Sequence, residues 1–131
     1  MRYLTTHEVL VIHELVLDEF GGVRGITEAG FGRLETAVYV PQQSMFGVDL
    51  YPELPHKAAA LAHAIIRNHP FSDGNKRVAL VALVEMLARN GAGLSATNAE
   101  LYALIMEAAE KLERQAMVSW VVQHSTGSAE C

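Results

Sequence analysis

Cysteine is almost absent from this 131-residue chain, which has one, Cys131, at the very end. No disulfide framework or CxxC pair can be built from it, so a reducing compartment, the cytoplasm, is expected. Long apolar runs are missing as well. The longest, Val78 to Val84, is far too short to span a membrane. The opening MRYLTTHEVL has no long apolar core of the signal-peptide kind. Positive charge is scarce: 10 Lys and Arg against 15 Asp and Glu leave a net charge of −5. That argues against a general nucleic-acid surface but still allows a local cationic loop. Neither GxxxxGK followed by Ser or Thr nor GxGxxG occurs, which excludes the ordinary nucleotide-binding folds. HExxH is absent too. His7 and His13, like His63 and His69, are six apart, where ligands on one helix face want three or four, and this disfavours zinc.

What is present is a globular composition, 50% hydrophobic and 19% charged. A chain of this length makes one domain, 1–131, and can bury roughly two-thirds of its unfolded surface without covalent staples. Helical signals dominate. Thr5-x-x-Glu8 is a capping box, and Val9, Ile12, Leu15 and Val16 continue as a helical stripe toward Phe20, where Gly21-Gly22 stops it. Thr27 can cap a second helix to Pro41, although Gly30 and Gly32 weaken it. From Pro41 to Pro55 the periodicity breaks into a loop or short hairpin, a flap of the length used for binding loops. Pro55 can open a third helix, His56 to Asn68. A fourth begins near Gly74 or Asn75 and ends at Asn90 with Gly91 after it. Its nearly all-apolar middle predicts burial on most sides. Thr97-x-x-Glu100 caps a fifth helix through Leu112, whose Leu101, Leu104, Ile105 and Met106 read as core. A sixth helix runs from Arg114 to Gln123, and a tail from Ser125 frays. The expected architecture is all-α: a compact bundle of about six helices around a central apolar helix.

Between the third and fourth helices lies His69-Pro70-Phe71-Ser72-Asp73-Gly74-Asn75-Lys76-Arg77. A helix N-terminus offers free N–H groups and partial positive charge to an anion. Gly74 lets the backbone approach a phosphate. Lys76 and Arg77 oppose the helix dipole in a first turn, so a function such as holding polyphosphate accounts for them. Asp73 suits Mg²⁺, which takes one or two protein carboxylates when phosphates supply the rest. Asn75 can donate to a phosphate oxygen, His69 is of the residue type suited to take a proton from an attacking hydroxyl, and Phe71 anchors the loop. Singly, each residue has an ordinary reading. Asp73-Gly74 suits a hairpin turn, Asp73 a helix cap, and the cations a solvated face. Seven specified residue types in nine positions arise by chance roughly once in 10⁹ tries, so together they are specific.

This segment resembles the signature of the Fic/Doc superfamily in the form carried by death-on-curing (Doc) toxins. Leu4-Thr5, His13-Glu14, Gly21-Gly22-x-x-Gly25-Ile26, Leu34-Glu35-x-Ala37-Val38, Pro41-Gln42-Gln43 and Asn90-Gly91 extend the resemblance over residues 2 to about 124. It implies a Fic/Doc-type bundle and a kinase that transfers the γ-phosphate of ATP, with Mg²⁺, to a threonine of translation elongation factor Tu. His69, Asp73, Lys76 and Arg77 would then be catalytic, and Gly74, Asn75, Lys76 and Arg77 would bind phosphate. Arg67 would join them or simply compensate its helix dipole. Gln42, Gln43 and Phe46 would dock the target. Fic adenylyltransferases usually carry glycine in place of Lys76 and arginine in place of Leu80, which sets AMP transfer aside as the alternative. No Glu is followed by Gly or Asn, so the inhibitory Ser/Thr-x-x-x-Glu-Gly/Asn helix of many Fic proteins is missing. The resemblance therefore implies inhibition in trans, by a prevents-host-death (Phd) antitoxin whose disordered tail folds as a helix into a groove. It implies no membrane partner, and DNA contact only through the antitoxin. A catalytically weak module that binds antitoxin and operator is the remaining alternative.

Overall fold

The computed structural model describes residues 1–111 and 113–127. Among the described residues, six helices and two minimal sheets succeed one another. Helix α1 is Thr6–Phe20 and α2 is Glu28–Tyr39, followed by a 3₁₀ turn, Val40–Gln42. Strands β1 (Ser44–Met45) and β2 (Val48–Asp49) make the flap, and α3 is Leu54–Asn68. Then come α4 (Asn75–Arg89), β3 (Ala92–Leu94), α5 (Asn98–Glu110), α6 (Arg114–His124) and β4 (Ser125–Gly127). Both capping boxes form, Thr5 with Glu8 and Thr97 with Glu100, and Thr27 caps α2 through the Gly30 N–H.

Helix α3 is the centre. Alanines at 58, 59, 60, 62 and 64 are buried on every side, and their small side chains let α2, α4, α5 and α6 approach closely. Leu61, Ile65 and Leu54 fill the gaps. Helix α4, the apolar stretch expected to be most enclosed, buries Val78, Ala79, Ala82, Leu83, Met86 and Leu87 but leaves Val81 and Val84 exposed. Apolar content was a poor guide at Val81 because that flank of α4 faces a cleft. Likewise Val9, Ile12 and Val16 of α1 are buried, but Leu15 is 62% exposed and Phe20 also faces solvent.

The chain end departs from expectation. Ser125–Gly127 does not fray but pairs antiparallel with β3, in the register Ala92↔Gly127, Gly93↔Thr126 and Leu94↔Ser125. The Ser95 N–H donates to the His124 carbonyl at 2.7 Å and extends the clamp. This tie closes α6 onto the hairpin-like exit of α4. The expected frayed residues 128–131, and Leu112 as the end of α5, lie outside the described residues. Among the described residues no helix is long and apolar enough to cross a membrane.

Candidate active site

The loop that joins α3 to α4 is built by an abrupt stop. Helix α3 ends where His69 takes left-handed backbone angles (φ 51°, ψ 58°), while its N–H still donates to the Ile65 carbonyl. Pro70 cannot continue a helix and disfavours one at the residue before it. A non-glycine residue held in this region costs on the order of 1 kcal/mol, and such strain concentrates at functional positions. Arg33 Nη2 donates to the His69 carbonyl at 3.5 Å, and Asn68 Nδ2 donates to the Arg33 carbonyl at 3.1 Å, so α2 braces the strained turn. The His69 side chain is left exposed.

Three side chains support the loop beyond Pro70. Phe71 is fully buried and stacks on the buried His13 ring of α1, with centroids 3.8 Å apart and planes 10° apart. His13 Nε2 lies 3.0 Å from the Asp73 carbonyl and donates to it. Asn75 is only 5% exposed and spends its whole amide on Phe71. Its Nδ2 donates to the Phe71 carbonyl, and its Oδ1 accepts the Phe71 N–H, both at 2.9 Å. The Asn75 side chain is therefore not a phosphate donor, as the sequence suggested, but the staple of the loop. At the first helical position only its backbone N–H is left for an anion.

The glycine-rich link between α1 and α2 forms the floor. The Val23 N–H donates to Asp73 Oδ2 at 3.1 Å, and the Ser72 N–H reaches the Gly25 carbonyl at 3.4 Å. A Cβ on Gly30 would stand 2.3 Å from the Pro70 carbonyl oxygen, so this glycine is required by close backbone approach. These partners were hidden in the sequence because they sit about 40 to 60 residues upstream of the loop they support.

Asp73 emerges exposed, its Oδ1 accepting the Gly74 N–H at 2.9 Å. The backbone N–H groups of Val23 and then Gly74 hold its carboxyl below the ordinary aspartate value, with smaller help from Arg77 and His13. Gly74 caps α4 in a left-handed conformation (φ 84°) and has no side chain to offer, so no side-chain bond caps this helix. The first N–H groups of α4 thus face the cleft beside the exposed Lys76 and Arg77. The Arg77 guanidinium sits over the Phe20 ring, 4.3 Å from its centroid, a contact that positions the cation and explains the exposed phenylalanine.

Among the described residues, the cleft of about 840 Å³ has His69, Asp73, Gly74, Lys76 and Arg77 at one end and Leu80, Val81, Tyr102, Ile105 and Met106 along its wall. Ile105 and Met106 of α5, expected as core, therefore serve the cavity as well. Arg67 is not brought to the loop. It points into a separate depression of about 300 Å³ with His63, Lys111, Glu113 and Arg114. One residue per 100° of helix turn is enough to carry it away from His69. Gln42 ends the 3₁₀ turn, Gln43 comes next, and Phe46 tips the flap, 96% exposed at φ 54°; none of the three lines the cleft.

Could the site hold metal and nucleotide? Among the described residues no three His, Cys, Asp or Glu side chains gather as a cage. At the loop end of the cleft a divalent ion would meet the Asp73 carboxylate and would complete its shell from phosphate and water, the pattern Mg²⁺ favours. The cleft volume suits a nucleotide-sized ligand.

The Fic/DOC family model matches residues 3–87, from the start of α1 through most of α4. The chain is 42% identical over 95 residues to a protein named Toxin Doc from Mycolicibacterium smegmatis, covering 72% of this chain and 69% of that one. It is 31% identical over 91 residues to Protein kinase doc of Escherichia phage P1, covering 70% of each. The matched span contains the strained histidine, the supported loop and the open helix end, and the chain belongs to the Fic/DOC family.

Proposed function

We propose that the protein is a Doc-type toxin. It would transfer the γ-phosphate of ATP to a hydroxyl, that of a threonine in elongation factor Tu, and so arrest translation in the cytoplasm. The observation that carries this reading is the grouping, at one end of a nucleotide-sized cleft, of a strained exposed histidine, an ionised aspartate and an uncapped cationic helix end. The names of the two relatives support the same reading.

In this reading each group has one task. When bound, ATP supplies the phosphoryl group and Mg²⁺ offsets its charge. Asp73, ionised at neutral pH, holds the metal. The first backbone N–H groups of α4, with Lys76 and Arg77, stabilise charge that spreads over the transferred group in a loose transition state. Gly74 keeps that end of the helix open. His69 accepts the proton of the attacking hydroxyl through its exposed ring. The flap residues Gln42, Gln43 and Phe46 meet the protein target. Leu80 on the cleft wall supplies no cation for the phosphates of an adenylylating pose, which favours kinase chemistry over AMP transfer. Inhibition would come from a separate antitoxin of the Phd type.

Expression without an antitoxin tests the reading. Growth arrest is expected, and His69→Ala should relieve it with an unchanged circular dichroism spectrum, since losing a general base costs about 10²–10⁴ in rate. Full toxicity from the folded variant would remove His69 from the mechanism.

A further inference from the structure

Lys57 has no part in the chemistry above, yet it is one of the few buried charges in the molecule, only 3% exposed. Lysine is almost never so enclosed without a partner, because its ammonium is costly to take out of water. Here the ammonium reaches two partners, both at the feet of the flap. Nζ donates to the Pro41 carbonyl at 3.3 Å, where the chain enters the hairpin, and to Asp49 Oδ2 at 3.5 Å, on the strand that leaves it. The face of Tyr3 lies 5.6 Å away and closes the pocket.

The flap needs such an anchor. Each of its strands is two residues long, and all four strand residues are exposed. A two-stranded hairpin is marginal in water by itself, and this one buries no apolar face that could set its posture. Below β2 the chain is held again, where Tyr51 is buried and Arg114 donates to its hydroxyl. Between those points, Lys57 on the central helix α3 ties the 3₁₀ turn that precedes β1 to β2 itself.

We infer that Lys57 is a positioning residue for the phosphotransfer proposed above: through Pro41 and Asp49 it fixes the flap in the posture that receives the protein target. The inference rests on that proposal for its consequence and on the geometry alone for the latch. A merely structural lysine and a latch differ in what Lys57→Met does. Methionine fills the same channel without a buried charge, and replacing a buried ionic group by an apolar one of like volume is often neutral for stability or better. The latch, though, would be gone.

The experiment uses the full chain in three forms, wild type, Lys57→Met and Asp49→Asn, with two measurements. Hydrogen exchange reads the latch directly. Amides of residues 43–50 should exchange about tenfold faster or more in both variants while α3 and α4 stay protected; the thermal midpoint should hold in Lys57→Met and fall in Asp49→Asn, which leaves the buried ammonium without its counter-charge. Steady-state transfer reads the consequence. KM for the protein target should rise about tenfold with KM for ATP and kcat nearly unchanged, and the double variant should be no worse than either single one. Unchanged exchange in the flap overturns the latch whatever the activity. Faster exchange with an unchanged target KM overturns the positioning role. A wild type that transfers no phosphate defeats the parent reading instead, and the exchange data still decide whether Lys57 is a latch.

Discussion

Replacing Asn75 separates two roles that the sequence could not distinguish. If the amide held a phosphate, Asn75→Ala would bind ATP poorly and fold normally. The structure commits both amide atoms to the Phe71 backbone at 2.9 Å in a buried site. Alanine would strand one buried N–H and one buried carbonyl. Each stranded group costs roughly 1–3 kcal/mol, so a total of about 3 kcal/mol is expected, a large share of the 5–15 kcal/mol by which domains are stable. For a chain of this length the unfolding entropy is about 0.3 kcal/mol/K, so the thermal midpoint should fall by about 10 °C. Asn75→Asp sharpens the test. It keeps an acceptor for the Phe71 N–H but sets a carboxylate oxygen against the Phe71 carbonyl, so it should be no more stable than alanine. Differential scanning calorimetry beside ATP titration reads both quantities. A midpoint within about 2 °C of wild type, with ATP affinity lost, would refute the staple and restore the phosphate role.

The same geometry sets other outcomes. Gly30→Ala must push Pro70 away and should lower both stability and activity, whereas Gly32→Ala, whose Cβ meets nothing within 4 Å, should stabilise α2 by about 0.5–1 kcal/mol; equal midpoints for the two would contradict the close approach. Backbone N–H groups hold Asp73 below its ordinary value, and capping-box N–H groups do the same for Glu8 and Glu100. A carboxyl depressed in the folded state contributes stability that is complete above its unfolded value and lost as pH falls through the folded one. The share of stability these carboxyls supply should therefore be constant above about pH 5 and fall below about pH 4, so the denaturant midpoint of Glu8→Gln should fall less steeply there than that of wild type. The same depression keeps Asp73 ionised, so Mg²⁺ dependence of activity should not change between pH 6 and pH 8 through this group, and Asp73→Asn should raise the Mg²⁺ requirement at both. Phe20→Ala frees the Arg77 guanidinium and should weaken ATP binding by about 0.5–1 kcal/mol, measured by calorimetry, without loss of fold, because Phe20 is exposed.

Much of the molecule was legible in the sequence where the controlling interaction is local. Thr5, Thr27 and Thr97 cap helices by bonds that reach three residues ahead, and Pro70 stops α3 by its own ring. The loop between α3 and α4 was legible as a candidate site because its residue types sit side by side. What escaped depends on distant partners. Nothing local marks the chain end as a strand, since β4 exists only by pairing with β3 some 30 residues earlier. His13 could be read from the sequence as a satisfied, partly buried histidine, but its partners, the Phe71 ring and the Asp73 carbonyl, lie about 60 residues away and only the fold shows them. Asn75 looked like a ligand because it stands at a helix start, and only the folded loop shows its amide turned back on Phe71. Arg67 stood two residues from His69 in the chain and lies in another depression, because the helix turned between them. Val81 looked like core because apolar content does not reveal a cavity.

The direction in which ATP is used separates a kinase from an adenylyltransferase, and label transfer measures it directly. Purified protein, Mg²⁺ and elongation factor Tu are incubated with ATP labelled on either the γ- or the α-phosphate. Label is expected to reach the factor from the γ-phosphate only. Label from the α-phosphate would make the protein an adenylyltransferase and contradict the roles given to Lys76 and Leu80.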